Sequence, residues 1–252
     1  MVKLGVVGSP SDWLIASHVD YALIKNKLGI ELVDIPMEEV TSLGSVDGGP
    51  EGAELIYRRL KEIVTKYELS GLTLRCFDLL TTVHNTGCIA LSKLNDEGIP
   101  AACEGDIPTL LTMVMCYNQI GCPGFQVNPA RIEKAPHALA TTKMLFAHCT
   151  IPTTMCSKTT LTTHFESGIG VAIAGDLPLG DYTIVKVSAQ LDRIFAEDVQ
   201  LVANQHEPNL CRTQVWIEGP ASMADYFLTN PIANHHVLVP GHHAKAFHEI
   251  LH

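Results

Sequence analysis

Two acidic motifs stand where apolar, strand-like runs end: Arg75-Cys76-Phe77-Asp78 and Cys103-Glu104-Gly105-Asp106. Carboxylates at the carboxyl ends of two strands in one α/β sheet can converge on the crevice where such folds hold ligands. Two later motifs, His148-Cys149 and Asn234-His235-His236, offer nitrogen donors. Two carboxylates and two imidazoles suit Mn²⁺, Fe²⁺, Co²⁺ or Zn²⁺ better than Ca²⁺. Paired carboxylates also move protons when their surroundings separate their pKa values. The pattern points to metal-assisted proton transfer on a polar small molecule. Each piece also has a plainer reading. Asp78 can cap the next helix while Glu104 makes a surface ion pair, and Asp106 reads first as an N-cap. A lone histidine at a strand end, such as His148, is more often a packed group than a ligand. Adjacent residues of an extended segment face opposite ways, so only one of His235 and His236 can reach a given site. His242, His243 and His248 at the chain end can be read as solvated. Arg212, in Cys211-Arg212-Thr213-Gln214, is read as structural.

These motifs need a scaffold, and the first half alternates strands with helices. Strands are expected at 3–7, 30–35, 71–77 and 101–104. The turn at 8–12 offers Ser11 or Asp12 as cap for a helix bearing Leu14, Ile15, Val19 and Leu23. A helix over 51–67 places Leu55, Ile56, Leu60, Ile63 and Val64 on one face, and further helices are expected at 87–96 and 106–117. Repeated units of this kind predict a parallel, Rossmann-like sheet with helices on both faces. Beyond 121 the texture changes to short β-like runs at 168–174, 181–190 and 211–218, with helices at 221–227 and 244–251. That predicts a smaller, mostly antiparallel, barrel-like domain with a C-terminal helix. The boundary falls near 120, so domain 1–120 carries the acids and domain 121–252 the histidines. Gly5 and Gly8 lack the third glycine of a dinucleotide fingerprint, so no nucleotide is expected.

Bulk properties exclude several partners. The chain has 252 residues, 46% apolar and 17% charged, as an ordinary globule does. A formal charge of −10 without any Lys/Arg run argues against nucleic acid and anionic membranes. No apolar stretch approaches the ~20 residues of a membrane span. The N-terminus runs straight into a strand with no visible secretory signal, which predicts a cytoplasmic protein. The eight cysteines form no Cys-x-x-Cys pair and read as reduced thiols rather than disulfides or a zinc site.

In order and wording the motifs resemble the L-fucose isomerase / L-arabinose isomerase superfamily, and within it the L-fucose isomerase-like branch. Arabinose isomerases carry Phe-Glu and Gly-Glu-Gly-Asp at the two acidic sites, where this chain has Phe77-Asp78 and Cys103-Glu104-Gly105-Asp106. The superfamily's next ligand, a histidine before a short loop, matches His148. Its last, in a His-His or Asn-His motif, matches Asn234-His235-His236. The branch is also similar at Gly8-Ser9-Pro10-Ser11-Asp12-Trp13-Leu14, at His164-Phe165-Glu166-Ser167-Gly168 and at Cys211-Arg212-Thr213-Gln214, so the resemblance covers nearly the whole chain.

The resemblance implies a metal-dependent aldose–ketose isomerase that works by enediol proton transfer on a sugar, with Mn²⁺ as the cation. Asp78 and Glu104 become ligands and acid/base pair. His148 and His235 complete the metal set, with His235 preferred to His236 because it follows Asn234. Trp13, Arg75, His164, Arg212 and His236 become sugar contacts, and a homo-oligomer, trimer or hexamer, is implied. Two departures matter. Asp78 stands where the named enzymes have Glu, and a shift of about 1 Å can cost ~100-fold in rate. The chain also begins at what is the middle domain of the full-length enzymes. Two alternatives stay open on the same scaffold: a related metal-dependent aldolase or epimerase, and a non-catalytic sugar-binding protein.

Overall fold

The computed structural model describes residues 1–133 and 141–251. Along the chain run β1 (Val2–Val7), α1 (Tyr21–Leu28), β2 (Ile30–Ile35), α2 (Glu38–Thr41), α3 (Pro50–Tyr67), β3 (Gly71–Leu74), α4 (Asp78–Thr82), α5 (Cys88–Asp96), β4 (Ala101–Cys103) and α6 (Ile107–Ile120). Then come β5 (Phe125–Ile132), β6 (Thr141–His148), β7 (Lys158–Thr162), β8 (Ala172–Asp176), β9 (Gly180–Val187), β10 (Ile194–Gln205), β11 (Thr213–Pro220), α7 (Ala221–Thr229), β12 (His236–Pro240) and α8 (Ala244–His248).

The first four strands form a parallel sheet in the order β2-β1-β3-β4. The chain steps to one side of β1 and then crosses to the other, which opens a crevice at the carboxyl ends of β1 and β3. α3 buries Ala53, Ile56, Leu60, Ile63 and Val64 at helical spacing. With α5 they cover one face, against Val7, Ile35, Leu72 and Leu74. Full burial of each Ile or Leu contributes roughly 1.5–3 kcal/mol. α1 and α6 cover the other face through Ile24, Ile107 and Leu110, against Leu4 and Val6.

Two local expectations are corrected. The helix after the first turn starts at Tyr21, because Asp20 accepts the Ala22 and Leu23 N–H groups and caps it there. The preceding stretch is irregular and folds over the sheet end, where Ser11 Oγ donates to the Glu104 carbonyl and Ser17 Oγ to the Ser11 carbonyl. In α3, Leu55 is exposed and Ala53 takes the inward position.

The second half closes into an antiparallel barrel in the order β10-β11-β6-β5-β12-β9, with β7 and β8 paired beside it. Closure leaves the six described barrel strands without a free edge strand. Phe125, Met144, Phe146, Ile184, Val215 and Leu238 lie in its core. The barrel rests on α6 through Val185, Val187, Val237 and Val239. A second joint lies at β4, the edge strand of the sheet. Gln126 of β5 accepts the Cys103 N–H at 2.8 Å and donates to the Cys103 carbonyl at 3.4 Å. A barrel side chain thus does for β4 what a neighbouring strand would do. No described helix is long and apolar enough to cross a membrane.

Candidate metal centre

Glu104 follows β4 directly, in the left-handed region at φ 63°, with Gly105 at φ 62°. Left-handed backbone costs a non-glycine residue roughly 1–2 kcal/mol. Gly105 cannot be replaced cheaply, since a Cβ there would lie 2.6 Å from the Ser9 carbonyl oxygen. The turn is held by Ser11 and by the Gly105 N–H, which donates to the Leu74 carbonyl at 3.0 Å. Such strain persists where surrounding contacts over-determine it, as at functional sites. Here it sends the Glu104 side chain across to the barrel.

Two barrel histidines meet it. His148 ends β6, and His235 precedes β12, with β5 between those strands. Their rings lie 5.1 Å apart. Glu104 Oε1 is 3.6 Å from His148 Nε2 and 3.5 Å from His235 Nε2. One donor atom from each residue lies within 4.8 Å of the others. Both Nε2 atoms are buried and lack a hydrogen-bond partner among the described residues, since 3.5 Å is long for one. Buried polar atoms are rarely left so. Two orphaned nitrogens and a carboxylate oxygen aimed at one point are a donor set that fits a borderline divalent cation. The other Glu104 oxygen, Oε2, accepts the Trp13 indole N–H at 3.0 Å, which leaves Oε1 for the centre.

Burial opposes charge on Glu104, but the two imidazoles outweigh it and hold the carboxyl far below its usual range. Burial alone would lower His235. Asp106 and Glu104 reverse that and bring it up to about 9. His148 is likewise raised by Glu104 against its burial. A divalent cation here would compete with protons on both rings, because ligation needs neutral imidazole.

Asp106 is the N-cap of α6, accepting the Thr109 N–H at 2.7 Å. It has a second role that the sequence reading missed. Its Oδ2 lies 2.9 Å from His235 Nδ1, so the fully buried carboxylate orients that ring with Nε2 toward Glu104. Lys186 of β9 is fully buried as well, 3.4 Å from Asp106 Oδ1. Its signal was present: a lysine inside a strand whose neighbours on both faces are apolar needs a buried partner.

The other expected residues are placed unevenly. Asp78 is not in the cluster. It opens α4, and its Oδ1 lies 3.5 Å from Arg75 Nε. The short side chain stays beside the guanidinium three residues earlier. Arg75 itself braces the turn after β1, donating to Ser9 Oγ at 3.1 Å and the Pro10 carbonyl at 2.9 Å, and lies over the Trp13 ring. Trp13 and His164 line a cavity of about 480 Å³ whose wall includes Glu104. His164 contacts the Phe77 ring edge-on. Arg212 does not reach this cavity. It ties loops together through the Thr163 and Pro208 carbonyls at 2.8 and 2.9 Å. His236 faces away, within 2.8 Å of the Tyr226 hydroxyl and among Phe195 and Phe227. Burial pushes it well below its usual pKa. The alternation of adjacent side chains thus puts His235, and not His236, beside Glu104.

No family model matches the chain. It is similar to the sulfoquinovose isomerase of Clostridium sp. (strain MSTE9), 27% identical over 115 residues, which is 45% of this chain and 24% of that protein. The matched part spans about a quarter of that relative. The likeness is to a sugar isomerase and does not single out the fucose isomerase-like branch.

Proposed function

We propose that this chain is a metal-dependent sugar isomerase that interconverts an aldose and a ketose by enediol proton transfer. The observation that carries the reading is the convergence on Glu104 Oε1 of two buried Nε2 atoms that are partnerless among the described residues. The named relative supports the reaction class. In this reading Glu104, His148 and His235 hold the cation, Mn²⁺ by preference. A bound divalent cation supplies polarisation of the sugar carbonyl and its neighbouring hydroxyl. Glu104 forms part of the cavity wall while both imidazoles lie sealed behind it. It is the carboxylate we assign to carry a proton between adjacent sugar carbons. Trp13 fixes its orientation, and Asp106 fixes that of His235. We further propose that residues 1–120 and 121–252 are two domains, with this centre at their seam, in a homo-oligomer.

The sugar we propose is neutral. Trp13, Phe77 and Phe165 give the cavity apolar walls, and its charged lining residues are Glu104 and Glu166. No Lys or Arg stands among the described lining residues. A sulfonate or phosphate there would meet carboxylates instead of the cationic donors that anions need.

The test is a panel of neutral aldoses and one sulfonated aldose, assayed with Mn²⁺ and again after chelation. Ketose should form from a neutral aldose, require the cation, and not form from the sulfonated one. No ketose from any neutral aldose with Mn²⁺ would overturn the isomerase reading. The pairing of Asp78 with Arg75 favours a second reading, because it leaves one carboxylate at the centre. Solvent proton exchange into the sugar without ketose would then mark an epimerase or aldolase. Sugar-dependent stabilisation without exchange would mark a binding protein.

A smaller effect is expected at Asp78 itself. The pair with Arg75 is partly exposed and 3.5 Å long, so it is worth about 1 kcal/mol or less. Asp78→Asn should therefore keep the cation-dependent rise in Tm and change turnover less than Glu104→Gln does, as thermal melts and initial rates will show.

A further inference from the structure

The cavity wall holds thiols that the proposed reaction does not use. Cys76, just beyond β3, and Cys103, the last residue of β4, place their sulfurs 3.0 Å apart. They come from paired strands, with Leu74 opposite Cys103. Both line the cavity, and Cys76 is half-buried while Cys103 is buried. A second pair, Cys88 and Cys149, lies at 3.2 Å, but both members are buried at 3% and 5% exposure. Cys76 is therefore the sulfur of these pairs most open to a small reagent entering by the cavity.

We propose that Cys76 and Cys103 are an oxidisable dithiol which closes to a disulfide in the cavity wall and shifts the turn that presents Glu104. The oxidant is a small hydroperoxide. Cys76 Sγ attacks the peroxide, an S–O bond forms, the O–O bond breaks, and one water leaves from hydrogen peroxide. Cys103 Sγ then attacks the resulting sulfenic sulfur, the S–S bond forms, the S–O bond breaks, and the departing oxygen leaves as a second water. Two thiols lose two electrons in all, and one peroxide becomes two waters. The sulfurs must close to about 2 Å. Because Glu104 is the next residue after Cys103, the movement is passed directly into its left-handed turn. Trp13, hydrogen-bonded to Glu104 Oε2, reports that turn.

The inference rests on thiol geometry and is independent of the proposed reaction. The whole chain is treated with hydrogen peroxide, remaining thiols are alkylated, and peptides are mapped by mass. A Cys76–Cys103 linked peptide is expected, reversed by dithiothreitol, absent in Cys76→Ser and retained in Cys88→Ser. Sulfinic acid at Cys76 with Cys103 free, or a Cys88–Cys149 link alone, would overturn the site. The coupling is read from Trp13 emission in a Trp216→Phe chain, which leaves it the single tryptophan. Emission should change on oxidation, recover on reduction, and stay constant in the added Cys76→Ser background. A formed disulfide with unchanged emission would overturn the coupling.

Discussion

Replacing Glu104 by Gln is expected to remove the cation-dependent gain in Tm and to lower turnover by ~10²–10⁴-fold, the range of a lost acid/base group. The amide has the same shape, so packing survives. It has no charge to face the two imidazoles 3.5–3.6 Å away, and either rotamer spends one of its two terminal positions on an NH₂ that cannot ligate. In the wild-type chain, Mn²⁺ at a hundred times its Kd should stabilise by about 2.7 kcal/mol, readable by differential scanning with and without chelator. His148→Ala should lose the same increment. A Glu104→Gln chain that still gains stability from Mn²⁺ would place the cation elsewhere.

The second large effect belongs to Asp106. Asp106→Asn is expected to destabilise the protein by about 3–5 kcal/mol, because it leaves a buried lysine without its counter-charge. Lys186 and Asp106 are both fully buried. Burial depresses the Lys186 pKa even with Asp106 beside it. Burial works against the charge on Asp106 too, yet Lys186 and His235 keep its carboxyl below the usual value. Adding Lys186→Met removes the stranded charge and should restore most of the stability in urea melts. It should not restore cation affinity, which is expected to stay ~10–100-fold down because the His235 ring has lost its orienting carboxylate. Recovery of both together would reduce Asp106 to a purely structural ion.

Much of the sheet was legible because α/β units write themselves in alternating apolar runs. The α3 face and the ends of β3 and β4 are where periodicity puts them, within a few residues. The barrel was less legible. β10 puts buried Ala196 on the same face as exposed Asp198 and carries a bulge between Leu201 and Ala203, so no simple alternation marks it. Glu104, His148 and His235, whose donor atoms lie together in the structure, all belong to motifs that the sequence chemistry singles out. Asp78 was read from the same logic, and the structure places it beside Arg75. Spacing along a chain does not tell which neighbour a short side chain will choose. The Asp106–Lys186 pair was hidden for a related reason: 80 residues separate its partners, and only the docking of β9 on α6 brings them together.

The Gln126 amide that splices the end of β4 onto the barrel has a thermodynamic corollary. The proposed ligand set is divided between sheet and barrel, so a cation held there would act as a rivet between them. Its binding free energy then counts toward keeping sheet and barrel in register, and occupancy and assembly become one linked equilibrium.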